Sequence, residues 1–293
     1  MPELTQKLQL QNKDLGFTLD YIRKNAEWPF TTIPPDVRKG KSLILCGAGP
    51  SLKNAARKIK RHKGDVWACN SAVNFLLQKH LRVTNGICVD NSARMYKNVW
   101  RYPSPRLVYY LASSVDPRLV AHLVHNSCRK IAFWHNYTSI EGEADLYNDT
   151  ELYPPTIIAG EGLNVVNRAL DLALYMGYSS IRIVGADCGF KSGGRFHADT
   201  DEMPEGRAFL KASPEFGKLI GTPGVRWQST ADMLMSAIDL AQKAQKHNGR
   251  IQLADGTLPY YLRRKDQAFF DRVIVWAGAK GGESQGKAVT SAT

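Results

Sequence analysis

An α/β fold with a mostly parallel sheet and helices on both faces is what this sequence predicts, and three observations predict it. Short strand-like runs are apolar on both faces, as strands buried on both sides of a sheet are. These runs alternate with segments of helical periodicity, the order that gives parallel pairing through crossover helices. A glycine-bearing turn and several polar residues fall where strands end, the rim at which open parallel sheets hold ligands.

The elements follow in order. Residues 4–26 read as an amphipathic helix with Leu8, Leu10, Leu15, Leu19, Tyr21 and Ile22 as its apolar members. Pro29, Pro34 and Pro35 then mark a linker. Residues 1–40 thus read as a helical appendage to a domain spanning 41–278. The first strand is SLILC (42–46), set between Gly40 and Gly47, and it feeds a helix over Leu52–His62. DVWACN (65–70), NGICVD (85–90), RLVYYLA (106–112) and RKIAFW (129–134) are the next strands, separated by helices over Ala72–His80, Ser92–Trp100 and Pro117–His125.

Residues 135–162 are polar and irregular, with TIIAG (156–160) as one more strand. Leu163–Met176 carries a strong apolar stripe and stops at Gly177, a residue suited to a helix C-terminus. SIRIVGAD (180–187) is a further strand. A loop of about forty residues follows, a length typical of lids and binding loops. A helix over Ala231–His247 and a strand RIQLA (250–254) complete the domain, and residues 279–293 have the composition of a disordered tail.

The chain has 293 residues and a net charge of +12. That charge suits a polyanionic partner, such as a nucleotide, a nucleic acid or an anionic glycan, as well as a simply soluble surface. Neither basic cluster, Lys53–Lys63 or Arg263–Lys265, has the interleaved aromatics of a single-strand binder. No apolar run approaches the ~18 residues of a membrane span. The first residues lack the apolar core of a signal peptide. The five cysteines are odd in number and contain no C-x-x-C pair, which points to reduced thiols and a cytoplasmic setting.

The chemistry concentrates at the strand ends. Gly47, Ala48, Gly49, Pro50 and Ser51 form a glycine-rich turn between a strand and a helix, the arrangement that cradles phosphates on backbone N–H groups and a helix terminus. The spacing is neither that of a P-loop nor a full G-x-G-x-x-G. Asn70, Asp90 and Asp187 end three strands, where they can orient a ribose, a sugar or a base. The two aspartates are also natural magnesium ligands, with helix capping as the plain alternative for both, more so for Asp90, which precedes Asn91–Ser92. His197, ten residues beyond Asp187 in a glycine-bearing loop, suits a general acid or base. Gly162 and Asn164, at the start of the Leu163–Met176 helix, offer a second anion or sugar contact.

GAGPSL (47–52), ACNSAV (68–73), VD (89–90), the stretch from Ala169 to Asp187 and FHA (196–198) together resemble the MptE-like family. That family is named after archaeal 6-hydroxymethylpterin diphosphokinase and includes the central domain of the Maf proteins of flagellin glycosylation. The GPSL loop and the Cys69–Asn70 pair are also similar to bacterial sialyltransferases that use CMP-sugars, whose catalytic histidine lies farther along the chain than His197. The resemblance implies a Rossmann-like fold and a nucleotide donor.

Three functions follow as expectations. A glycosyltransferase would hold a nucleotide-activated sugar on Gly47–Ser51 and use His197 or Asp187 to deprotonate the acceptor hydroxyl. A diphosphokinase would move diphosphate from ATP to a hydroxymethyl group with magnesium on Asp90 and Asp187. A nucleic-acid-directed protein would use the positive charge for binding. The first ranks highest. A homo-oligomer through the N-terminal helix is left open.

Overall fold

The computed structural model describes residues 17–138, 140–159, 164–191, 218–222, 225–229 and 231–264. The main strands are β1 (Ser42–Cys46), β2 (Asp65–Cys69), β3 (Asn85–Cys88), β4 (Val108–Ala112), β5 (Ile131–Asn136), β6 (Ile158–Ala159) and β7 (Ser180–Val184). After β8 (Phe190–Lys191), β9 (Lys218–Thr222) and β10 (Val225–Ser229) comes β11 (Ile251–Leu253). The large sheet has the order β11-β7-β1-β2-β3-β4-β5-β6, and each of its pairings is parallel.

The strands are apolar on both faces because both faces are covered. In β1, Ile44 and Cys46 point into one core cluster and Leu43 and Leu45 into the other, following the two-residue period of a strand. The first cluster is closed by α1 (Thr18–Ala26), a 3-10 turn (Pro50–Ala55), α2 (Ala56–Arg61), α3 (Ala72–Gln78), α4 (Pro117–His125) and α5 (Glu143–Asn148). The second is closed by α6 (Val165–Tyr175), α7 (Ala231–Lys246) and α8 (Leu258–Arg263). Trp67 is its anchor, edge-on to Tyr110 at 5.2 Å and to Tyr178 at 5.3 Å. All five cysteines are buried free thiols, and burial raises their pKa.

Four expectations are corrected. The helix expected over Leu52–His62 is split into the 3-10 turn and α2. The one expected over Ser92–Trp100 winds as a π-helical turn over Met95–Val99. There Trp100 N–H reaches back to the Met95 carbonyl, while the Asn74 carboxamide bonds the Val99 carbonyl from α3. The long loop after Asp187 contains a three-stranded antiparallel sheet, β8-β10-β9. Its sequence signal is the turn pair Pro223–Gly224, followed by the alternating run VRWQS. The irregular stretch 135–162 contains α5.

The N-terminal segment is woven into the edge of β5. Ile22 is fully buried, the Asn25 carboxamide donates to the Ser113 and Val115 carbonyls at 2.8 Å each, and Thr32 bridges Phe133 in parallel. Residues 4–16, the first part of the expected helix, and the tail 279–293 lie outside the described residues.

A buried polar cluster ends β4 and β5. Glu143, fully buried, accepts from Thr138 N–H at 2.7 Å and from the Tyr147 hydroxyl at 2.7 Å. His135, also fully buried, stacks on Tyr147 at 4.3 Å, with Nδ1 2.9 Å from Ser113 Oγ. Its Nε2 has no hydrogen-bond partner among the described residues. Burial lowers the His135 pKa to about 4. The unfolded chain therefore binds a proton below about pH 6.5 that the folded chain refuses, and stability falls with pH through this window. Unfolding free energy should drop by about 3 kcal/mol between pH 6.5 and pH 4 from this group alone. Urea midpoints across that range in the native chain and in His135→Gln test it, and an unchanged pH slope in the variant would count against His135.

Candidate functional site

The strand order gives the site its place. From β1 the chain adds β2 to β6 outward on one side, and β7 then returns to the other side of β1. The direction of winding reverses between β1 and β7, and a crevice opens at such a switch point beyond the carboxyl ends of the strands.

The loops that leave β1 and β7 cross in backbone contact there. Gly47 N–H donates to the Val184 carbonyl at 2.8 Å and Gly49 N–H to the Gly185 carbonyl at 2.7 Å. A Cβ on Gly47 would stand 2.5 Å from Gly185 O, and one on Gly185 would stand 2.2 Å from Gly47 O. Gly185 also has φ +66, the left-handed region that glycine enters without steric cost. The sequence pattern extends the strand through Gly185 to Asp187. The strand stops at Val184.

Beyond the crossing, Asp187 turns its side chain back to the first loop. Its Oδ2 accepts from Ser51 N–H at 3.1 Å and from Ser51 Oγ–H at 2.9 Å. The carboxylate thereby caps the 3-10 turn that Pro50 opens after the extended Gly49. Asp187 is 7% exposed. Burial raises its pKa, and the two bonds from Ser51 work against that rise by favouring the ionised form. Ala48 is half-buried against the first core cluster.

The other rim residues take distinct places. Asn70, at the end of β2, has φ +45, and its backbone oxygen accepts from the Trp100 indole at 3.0 Å. The Asn70 Oδ1 is buried without a hydrogen-bond partner among the described residues. Asp90 accepts from Ser92 N–H at 2.8 Å, a local turn closure. Asn164 caps α6 by accepting from Val166 and Asn167 N–H at 2.9 and 3.1 Å, and its side chain also reaches Cys188. His197 and Gly162 lie outside the described residues.

Metal binding is constrained by this layout. β3 and β7 are three strand spacings apart, about 14 Å at the usual separation. Magnesium holds its oxygens at about 2.1 Å, so Asp90 and Asp187 do not fit one shared ion. Among the described residues no three His, Cys, Asp or Glu side chains come together as a metal site. No helix among them is long and apolar enough to cross a membrane.

The crossing predicts a substitution effect. A Cβ on Gly49 would stand 2.2 Å from Asp187 Oδ2 and 2.7 Å from Gly185 O. Gly49→Ala should therefore destabilise the chain by about 1–3 kcal/mol through overpacking. Chemical denaturation is the measurement, and a loss below about 0.5 kcal/mol, the level of a neutral surface change, would mean that the two loops separate easily.

Comparison with known proteins bears on this region. The family described as 6-hydroxymethylpterin diphosphokinase MptE-like matches residues 18–193, which include β1 to β7 and both crossing loops. No curated protein matches the chain. Among solved structures the chain is similar to the MAf glycosyltransferase from Magnetospirillum magneticum AMB-1, with a TM-score of 0.59 and 16% identity. That likeness is one of fold. It covers 89% of this chain and 43% of the other, so the chain spans less than half of that enzyme. With more than half of its length matched, β1, β7 and their crossing included, the chain belongs to the MptE-like family.

Proposed function

We propose that the chain is a transferase that takes its group from a nucleotide donor bound over the crossing of the β1 and β7 loops, and that the group is a sugar. The observation that carries this reading is the reversal of strand order between β1 and β7, with Gly47–Ser51 and Gly185–Asp187 meeting at that point. Much of the loop's donor capacity is already turned inward, to Val184, Gly185 and Asp187. The glycines thus shape the crevice, and the Ser51 hydroxyl is the group that can exchange between Asp187 and a donor phosphate. Asn70 Oδ1, buried and unpaired, suits an N–H or hydroxyl of the nucleoside.

Asp187 or His197 deprotonates the acceptor hydroxyl in this scheme. The raised pKa of Asp187 suits a base, since proton affinity rises with it. The sugar assignment is supported by the fold shared with the MAf glycosyltransferase and by the GPSL and Cys69–Asn70 resemblance. The family description favours a second reading, diphosphate transfer from ATP. Its magnesium would be held mainly by the donor phosphates, with one of the two aspartates at most.

A thermal-shift series with CMP, UDP, GDP, ADP, ATP and the corresponding nucleotide sugars, with and without magnesium, tests the assignment. A ligand at a hundred times its Kd stabilises the fold by about 2.7 kcal/mol. Stabilisation by a sugar-carrier nucleotide without metal is the expected result. Stabilisation by ATP only with magnesium would select diphosphate transfer, and no stabilisation by any of them would reject the donor site. With the donor identified, Asp187→Asn and His197→Ala should each keep the nucleotide-induced shift. The one that removes the base should lower transfer by about 10²- to 10⁴-fold. If neither does, the base lies elsewhere.

A further inference from the structure

The positive charge of this chain is concentrated. Residues 52–115 contain twelve lysines and arginines against two acids, Asp65 and Asp90, and so carry ten of the twelve net positive charges. All twelve of these cations are exposed. Both acids are engaged elsewhere: Asp65 accepts from the Tyr178 hydroxyl and lies 3.6 Å from Arg38 Nε, and Asp90 closes its turn with Ser92.

The fold brings these cations onto one layer. β1 to β4 are neighbours in chain order, so right-handed crossovers lay α2, α3 and the π-helical turn side by side on the same face of the sheet. The apolar sides of all three meet in the first core cluster, which leaves their polar sides outward, charged in α2 and the π-helical turn. Arg82 ties two of the segments, its Nη1 donating to the carbonyls of His62 and Lys63.

Between α3 and the π-helical turn lies a hollow of about 560 Å³. Arg94, Lys97 and Arg101 line it, together with the carboxamides of Asn74, Gln78 and Asn98, and no acid does. Tyr102 stands at its edge, 78% exposed, with the Arg101 guanidinium 5.3 Å from its ring centre. The other large apolar side chains exposed among the described residues, Phe17, Val37 and Ile158, all lie outside residues 52–115.

A surface with so little exposed apolar area cannot draw its affinity from hydrophobic burial. Charge and hydrogen bonding remain, and both suit a polyanion. Carboxamides, guanidinium groups and an exposed ring around a hollow are the groups that hydrogen-bond base edges and stack on bases. A hollow between helices receives an unpaired base, whereas entry into a duplex groove takes a protruding element. We propose that this face binds single-stranded nucleic acid, with phosphates along the cations of α2, along Lys79 and Arg82 after α3 and along Arg94, Lys97 and Arg101 at the π-helical turn, and a base in the hollow against Tyr102. Neither basic cluster suggested this from sequence, because the aromatic that completes the surface belongs to neither of them.

The test uses the full chain without any nucleotide donor, so it stands apart from the transferase assignment. Fluorescence anisotropy of a short labelled single strand of mixed sequence is read between roughly 50 and 200 mM salt. Binding that weakens steeply with salt is expected. The triple variant Arg94→Glu, Lys97→Glu, Arg101→Glu should lose at least about tenfold in affinity and about two units of the log–log salt slope. Tyr102→Ala should weaken binding roughly fivefold or more through lost stacking. A control with the same charge change at exposed sites off this face, Lys39→Glu, Lys41→Glu, Lys246→Glu, should lose far less. No binding at the lowest salt, or equal losses in the two triple variants, would overturn the proposal. So would tighter binding to the matched duplex, to heparin or to phosphatidylserine vesicles than to the single strand.

Discussion

The backbone contact between Gly47 and Gly185 is the constraint on which the rest of the structure depends. β1 and β7 pair along their whole length, from Ser42 opposite Ser180 to Cys46 opposite Val184. The chains leaving these two strands turn into each other, and a side chain at either Gly47 or Gly185 would meet the other's carbonyl oxygen. The contact lets Asp187 fold back onto Ser51, and a buried carboxylate is tolerated because Ser51 meets it with two hydrogen bonds. The same contact consumes donors that a free phosphate loop would point outward. The crevice is therefore built around an internal carboxylate held by Ser51.

Around this point the sheet solves its two boundary problems differently. On the β11 side, α7 and α8 pack over the strands with Leu240, Ala244 and Leu258 fully buried or nearly so. On the β5 side, the N-terminal segment and β6 share the outer edge of one strand, Thr32 meeting Phe133 and Ile158 meeting His135. An exposed sheet edge invites pairing with other chains, and covering it removes that liability. The cost is a dense polar end to β4 and β5, where Ser113 pairs with His135 Nδ1, Thr138 and Tyr147 donate to Glu143, and His135 Nε2 is left without a partner among the described residues. His135 stays neutral there, so the cluster holds together best above the range in which a histidine takes up a proton.

The layers of the fold also differ in charge. Crossovers that stay on one face of the sheet gather the cations of a long sequence stretch, while the acids of that stretch serve a turn and a tyrosine. Asn74 ties α3 to the π-helical turn through the Val99 carbonyl, and Trp100 connects this layer to the rim through the Asn70 backbone. The crevice and the basic face thus share a wall without sharing residues that do the same task.

Much of this architecture was legible in the sequence. Strands apolar on both faces and their alternation with helical segments determined an α/β fold with a parallel sheet, because those patterns record local burial and local chirality. The positions of Gly47–Ser51, Asn70, Asp90 and Asp187 at strand ends followed from the same reading. The sequence could not show that Gly49 leaves room for the Asp187 carboxylate, since the two lie 138 residues apart. It could not show that Asp90 and Asp187 follow strands three places apart, or that Tyr102 joins a basic surface begun at Lys53. Those facts depend on strand order and crossover hand. Strand order is set by which long-range pairings bury the most surface together, and no single segment encodes that choice.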